Sequence, residues 1–353
     1  MFSDLKNRAK KANQTPGTAV YLGDNPLLKT EITVIHYNTE NCAVKENATL
    51  DDCIAVENTI TWIHIEGLHD VAMIKAVAEK FQIHPLTVED ILNVGQRPKV
   101  DDYENYSFIT LKSLEWTEEN TSLLVSQLAI IFNKTCVITF QDDHSKSIDL
   151  IRERFKNGAT QQARKNGPDY LVYRLIDSVI DNYFVALESI GEKIESVEDQ
   201  IMDAPTPKNS RIIYRLKRQM LLLRKVIWPL REVLSHLLYG ENAMVSKSTR
   251  VYIRDAYDHI SQAIDTVETF RDILASLLDM YLSGLTMKTN DIIKTLTIIT
   301  TIFIPIMAIA SIYGMNVSGV PLMKSTWGFD EVALLMILSV IVMVIFFRRK
   351  KWL

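Results

Sequence analysis

The apolar run that ends at Ser311 and Ile312 is followed by Tyr313, Gly314, Met315 and Asn316, which puts a neutral amide at the mouth of a hydrophobic segment. Upstream, with Asn290 set on one face of a helix, a 3.5-residue period brings Ile293, Thr297, Thr300, Ile304, Met307 and Ser311 onto the same face. The stripe mixes hydroxyls with aliphatic side chains and holds no carboxylate, imidazole or thiol. Its hydroxyls serve either a polar path or the carbonyls of their own helix. A bare transition metal would be met by Asp, Glu, His or Cys, whereas amide and hydroxyl oxygens suit a hard cation that keeps its water. Magnesium dehydrates reluctantly, so rings of carbonyl oxygen at Asn316 and Asn290 could accept hydrogen bonds from its polarised waters without stripping them. Between the two amides, Ile293, Ile304 and Met307 would then be constrictions able to dewet and close.

Asp258, Asp265, Asp272 and Asp279 recur every seven residues and form an acidic row. On a single chain such a row is a solvated face. Repeated around the axis of a symmetric oligomer, it becomes a negative funnel that concentrates cations. An enzyme is not expected, because the 7 histidines are scattered, no nucleophile and base share a spacing, and no glycine-rich phosphate loop follows a predicted strand. Cys42, Cys53 and Cys136 sit at unrelated spacings and read as free structural thiols in a reducing compartment. The net charge of -4 comes with no basic stripe interleaved with aromatics, which argues against nucleic acid as a partner.

These residues need elements to position them. From about Pro16 to Lys146 the pattern is that of an α/β domain with a mixed or mainly antiparallel sheet. "EITVIHYN" (31–38), "ITWIHIEG" (60–67), "YSFITLKSLEW" (106–116), "SLLVSQLAIIF" (122–132) and "TCVITFQ" (135–141) are β-branched and aromatic runs bounded by turn formers. "DVAMIKAVAEKF" and "HPLTVEDIL" supply helices between the second and third strands. Beyond the flexible "GATQQARKNG" the chain reads as helical to its end: Pro168 to about Asp203, a break at "APTP", then Asn209 to Tyr239 as the return arm of a hairpin. A third helix from Thr249 meets no proline before Pro305, so it is expected to exceed 60 residues, on the order of 90 Å. Its seam is Ile253, Tyr257, Ile260, Ile264, Val267, Arg271, Leu274, Leu278, Tyr281 and Leu285.

Residues 295–312 and 332–347 contain no charge and, lengthened to start at Ile292 and Trp327, are long enough to span a bilayer. Arg348, Arg349, Lys350 and Lys351 follow the second span while the intervening loop carries only Lys324, which sets the C-terminus, and with two spans the N-terminus, on the cytoplasmic side. Lys6, Arg8, Lys10 and Lys11 precede no apolar stretch, so no signal peptide is expected. The expected domains are 1–168 (α/β), 169–248 (helical hairpin), 249–291 (stalk), 292–312 (pore-lining span), 313–326 (external loop), 327–347 (second span) and 348–353 (basic tail). Two spans cannot enclose a polar path, so a pore requires several copies.

"YGMN" at 313–316, after a proline-containing span and before a short loop and one more span, resembles the signature of the CorA magnesium transport proteins. "HPLTVEDILN", "QRPKVDDYENYSFITLK", "VIWPLREVLS", "DTVETFRDIL", "KTND" and terminal "KKWL" resemble family segments across nearly the whole chain. The resemblance implies a homopentameric funnel in the cell membrane, a pore lined by the first span, and Mg2+ uptake driven by the membrane potential, with Co2+ or Ni2+ as further cargo. It gives Tyr313, Gly314, Met315 and Asn316 as the selectivity motif, with Asn316 holding the hydrated ion and Tyr313 also suited to be an interfacial anchor. Asn290 matches an inner polar ring and Asp279 an acidic ring below it. Glu89, Asp90, Asp177 and Asp255 resemble regulatory divalent-metal ligands between neighbouring cytoplasmic domains. Two departures stand out: the loop "VSGVPLMKSTWGF" has Lys324 and lacks an acid often found there, and Met307 replaces a hydroxyl. Zinc transporters of the ZntB type share the fold and a similar motif, so Zn2+ is the alternative cargo, and a non-conducting metal-sensing scaffold is the other alternative.

Overall fold

The computed structural model describes residues 15–23, 30–117, 122–143, 146–156, 164–315, 321 and 327–352. Asn316, Lys324 and the segment Lys6 to Lys11 lie outside them. The chain divides into two units, one of residues 1–199 with 210–276 and one of 200–209 with 277–353.

The first unit is built on a seven-stranded sheet of β1 (Glu31–Tyr37), β2 (Cys42–Lys45), β3 (Ile60–Glu66), β4 (Lys99–Asp102), β5 (Ser107–Thr117), β6 (Ser122–Phe132) and β7 (Cys136–Gln141). Their order is β2-β1-β3-β7-β6-β5-β4, antiparallel throughout except where β3 runs parallel to β7, in register from Thr61 with Cys136 to Glu66 with Gln141. The sheet is therefore mixed. The parallel step requires a crossover between β3 and the later strands, and helices α1 (Val71–Lys80) and α2 (Pro85–Leu92) lie in it.

Both faces of the central strands are covered, which is why β7 is buried at all six positions. On one face Ile63, Ile65, Ile138 and Phe140 pack with Ile74 and Val77 of α1 and Val88 and Ile91 of α2. On the other, Trp62 and Tyr37 meet Phe155 of α3 (Lys146–Lys156) edge to face at 5.9 and 5.0 Å. The Trp62 indole N–H donates to Thr139 Oγ1 at 3.0 Å, so the large ring is buried without an orphaned donor.

Helix α4 (Pro168–Asp203), α5 (Pro207–Tyr239) and α6 (Lys247–Tyr313) follow. Within the first unit the seam expected of α6 is buried at Ile253, Ile260, Ile264, Val267 and Leu274, while Arg271 is exposed and pairs with Glu268 at 2.5 Å. Gly191 of α4 leaves room for Phe270, whose ring would lie 3.1 Å from an added Cβ. In the second unit Pro205 sits against Gly284 of α6, where an added Cβ would meet Pro205 Cγ at 3.0 Å. Helix α7 (Gly328–Arg349) ends with Trp352 stacked on Phe347 at 5.8 Å. Helices α6 and α7 are long and apolar enough to cross a membrane, and none of either apolar window is buried within the chain.

Candidate functional site

In the first unit α2 and the edge strand β4 form a groove of about 560 Å3 lined by Leu86, Glu89, Asp90, Lys99, Val100, Asp101, Asp102 and Tyr103. Helix α2 is placed by its ends. Its start is set by Pro85 and by His84 Nδ1, which accepts the Leu86 N–H at 3.2 Å. At its finish, the carbonyls of Asp90 and Ile91 accept from Gln127 Nε2 at 3.1 and 2.9 Å, and that of Leu92 accepts from the Leu22 N–H at 3.0 Å. Gln127 in turn accepts from the buried Lys112 ammonium at 2.9 Å, and Lys112 also donates to the Val94 carbonyl.

Glu89 accepts the backbone N–H of Gly17 at 2.6 Å. Gly17 has φ of +83° and lies so near Pro85 that a Cβ would come within 3.2 Å of the ring, so the close approach is reserved for glycine. Asp90 is bound by Lys99 at 2.7 Å, and the same ammonium reaches Asp101 at 2.5 Å. Burial pushes the Asp90 carboxyl above the usual carboxylate range even against the pull of Lys99. For Lys99 burial acts downward, yet the two carboxylates outweigh it and hold the amine above its ordinary value. Asp102 accepts from Asn242 Nδ2 at 2.7 Å and Ser107 Oγ at 2.8 Å and lies 2.8 Å from His236 Nε2.

Asp177 on α4 is buried and pairs with Arg174 at 2.9 Å. Burial, reinforced by the neighbouring Asp181, raises its carboxyl above the usual range, while Arg174 and His259 oppose the rise. Asp255 on α6 is exposed and lies 4.0 Å from that same His259, so one imidazole neighbours both acids. Among the described residues no three His, Cys, Asp or Glu side chains group to hold a metal. The donors are hard carboxylate oxygens, which fit Mg2+ in kind, but those lining the groove already have partners within the chain: Glu89 the Gly17 N–H, Asp90 and Asp101 the Lys99 ammonium, and Asp102 His236, Asn242 and Ser107.

In the second unit Asn290, Ile293, Thr297, Thr300, Ile304, Met307 and Ser311 are all exposed along α6, as are Leu296, Ile299 and Phe303 on other faces, so exposure does not single out the stripe. Thr297 returns its hydroxyl proton to the Ile293 carbonyl at 2.8 Å, and Thr300 does the same to Leu296. Their oxygens keep lone pairs to accept with. Pro305 lies inside the helix and cannot donate to the carbonyl four residues back. Asp279, like Asp258, Asp265 and Asp272 on the first unit's part of α6, is exposed. At the far end Tyr313 closes α6 and the Gly314 N–H donates to the Ala310 carbonyl at 2.9 Å. Gly314 does not adopt a left-handed φ; its constraint is the Ala310 oxygen, 3.1 Å from where a Cβ would sit. Met315 is exposed.

Sequence reasoning missed Lys99, Asp101, Lys112 and Gln127. Lys99 and Asp101 alternate along β4 onto the groove side, a signal too short to read alone; Gln127 is a polar residue in the middle of an apolar strand, which is the mark of a buried polar contact.

An α/β domain followed by a helix of 67 residues and a second apolar C-terminal helix defines a class of membrane protein in which a folded domain is continuous with a membrane-spanning segment. Residues 57–349 match the family model described as CorA-like Mg2+ transporter protein. The cobalt/magnesium transport protein CorA of Thermotoga maritima is 42% identical over 350 residues, which cover 99% of each chain. The complete structure of the CorA magnesium transporter from Methanocaldococcus jannaschii superposes with a TM-score of 0.77 at 25% identity, covering 91% of this chain and 98% of that one. A zinc transport protein, ZntB of Yersinia enterocolitica, is 20% identical over 86% of this chain and 90% of its own. The chain belongs to the CorA-like Mg2+ transporter family.

Proposed function

We propose that the chain takes up Mg2+ across the cytoplasmic membrane as a homopentamer with both termini in the cytoplasm, and that it also admits Co2+ or Ni2+. The observation that carries this reading is the uninterrupted α6, which begins in the α/β unit and ends at Tyr313 and Gly314, in a chain 42% identical end to end to a cobalt/magnesium transport protein. In it residues 292–312 of α6 line the pore, Asn316 selects the hydrated ion beside Gly314 and Met315, and residues 327–347 form the outer span. Thr297 and Thr300 support a hydrated cargo: with each proton given to the helix, what faces outward is an acceptor for the protons of the ion's own water. The same stripe offers neither imidazole nor thiol nor carboxylate, so it has no site for a stripped transition metal, and Co2+, Ni2+ or Zn2+ would pass it only with their waters.

Gating follows from the acidic pairs. Glu89 and Asp90 of one subunit, set against Asp177 and Asp255 of the next, would repel until a Mg2+ ion lies between them, so internal Mg2+ ties subunits together and its loss loosens them. Asp258, Asp265, Asp272 and Asp279, repeated around the axis, would gather cations below the Asn290 ring. The test is Mg2+ entry into proteoliposomes under an inside-negative potential. Wild type should load Mg2+ and Asn316→Ala should not. Undiminished entry in Asn316→Ala, or Zn2+ flux under a proton gradient with no Mg2+ movement, overturns the reading.

A further inference from the structure

We propose that Lys99 is a resident cation that competes with Mg2+ for Asp90 and sets how much Mg2+ the site requires, and that Asp101 is where its ammonium is held when the metal binds. The inference rests on the reading of Asp90 as a regulatory ligand. Lys99 occupies the groove at 2.7 Å from Asp90 Oδ2, and the same nitrogen is closer still, at 2.5 Å, to Asp101 Oδ2. The Phe108 ring lies 5.7 Å beneath it and fixes the side chain from its third side. A hydrated Mg2+ bound at Asp90 must share with the ammonium the negative charge of one carboxylate and is repelled by the ammonium's own charge. Because Asp101 already shares the nitrogen, the ammonium can give up Asp90 without becoming an unpaired, partly buried charge. The strand supplies the exchange geometry: Lys99 and Asp101 alternate on one face of β4, paired across from Thr110 and Phe108 of β5.

The consequence is a sensor weaker than its carboxylates alone would make. Replacing the ammonium by an uncharged chain of similar length should tighten Mg2+ binding about tenfold, equivalent to about 1.4 kcal/mol, a figure kept small because Lys99 is one-third exposed. The experiment uses the full chain in detergent with MgCl2 alone, reading the half-saturating concentration by calorimetry and by the Mg2+-dependent rise in unfolding temperature. Lys99→Met should bind about tenfold more tightly than wild type, and Lys99→Arg, which keeps the charge, should stay near wild type. Asp101→Asn should weaken binding in the wild-type background and change it far less in the Lys99→Met background, since Asp101 acts through Lys99. If Asp90→Asn weakens binding while Lys99→Met does not tighten it, or if Lys99→Arg tightens it as much as Met, the competition is overturned and the metal reading stands. If Asp90→Asn binds Mg2+ as wild type does, the metal reading itself fails. Lys99→Gln makes the same comparison where the methionine variant does not fold.

Discussion

Gln127→Leu tests whether the position of Glu89 and Asp90 depends on a polar contact under the sheet. In the wild type the Gln127 amide satisfies the carbonyls of Asp90 and Ile91, and its oxygen accepts from Lys112. Leucine removes all three bonds at a residue 1% exposed, so water cannot replace them. Two neutral bonds at about 1 kcal/mol each, plus about 2 kcal/mol for the bond to the charged amine, less about 1 kcal/mol regained by burying an apolar side chain, leave about 3 kcal/mol. That corresponds to roughly a hundredfold more frequent opening of the α2 C-terminus. Hydrogen exchange on the full chain should show lost protection at residues 89–94, with strand β7 much less affected. Gln127→Glu separates the parts: it keeps an acceptor for Lys112 but turns the donor to α2 into an acceptor, so α2 should loosen while Lys112 stays satisfied. Wild-type protection at 89–94 in both variants would refute the claim that this amide holds the helix.

The acid response should contain two contributions of opposite sign. Asp177, whose carboxyl burial raises, holds its proton more tightly folded than unfolded; its share of stability is present below the usual carboxylate value and is lost as pH rises through the raised folded value. Asp52, held down to about 2 by Lys45 and Thr49, contributes stability above its unfolded value of 3.8 that disappears as pH falls toward about 2. Unfolding temperatures of Asp177→Asn and Asp52→Asn against pH should therefore differ from wild type with opposite slopes, and parallel curves would contradict the assignment. In the second unit Gly284→Leu should expel Pro205, whose Cγ lies 3.0 Å from the new Cβ, and speed hydrogen exchange at 200–209; Gly284→Ala should do so far less because the gain in helix propensity, about 1 kcal/mol, opposes the crowding.

The long strands and helices could be read because local pattern and tertiary role agree. β5 and β6 are strands of 11 residues rich in apolar, β-branched and aromatic side chains with no Gly or Pro among them, and α6 has no proline before Pro305. The observed ends differ from the expected ones by a residue or two, as at Pro207 in place of Asn209 and Lys247 in place of Thr249. β2 and β4, 4 residues each, were not legible: they are edge strands whose extended form comes from pairing with β1 and β5, and "KVDD" alone reads as a solvated turn. The groove was hidden for the same reason. Sequence order separates Asp90 from Lys99 by a loop, and only the register of β4 on β5 turns that loop back over α2. Asp177 and Asp255 could be named through resemblance alone, since nothing in their local pattern distinguishes them from other acids; their shared neighbour His259 is a product of how α4 packs on α6.

In the proposed reading, conduction and sensing use one physical device, an incomplete donor set. A permeating ion must be bound weakly enough to leave, and a single Thr297 whose proton already serves the Ile293 carbonyl offers only an acceptor. A sensor must likewise release its ion when the internal concentration falls. Glu89 is committed in part to the Gly17 N–H and Asp90 to Lys99, so neither arrives at the groove as a bare carboxylate. Symmetry would complete both sets, by repeating acceptors around an axis and by facing one subunit's pair with its neighbour's. Binding then depends on assembly and assembly on binding, which is the coupling a metal-gated pore requires. A chain whose clustered carboxylates had no such internal partners would bind Mg2+ as a monomer and carry no information about its neighbours.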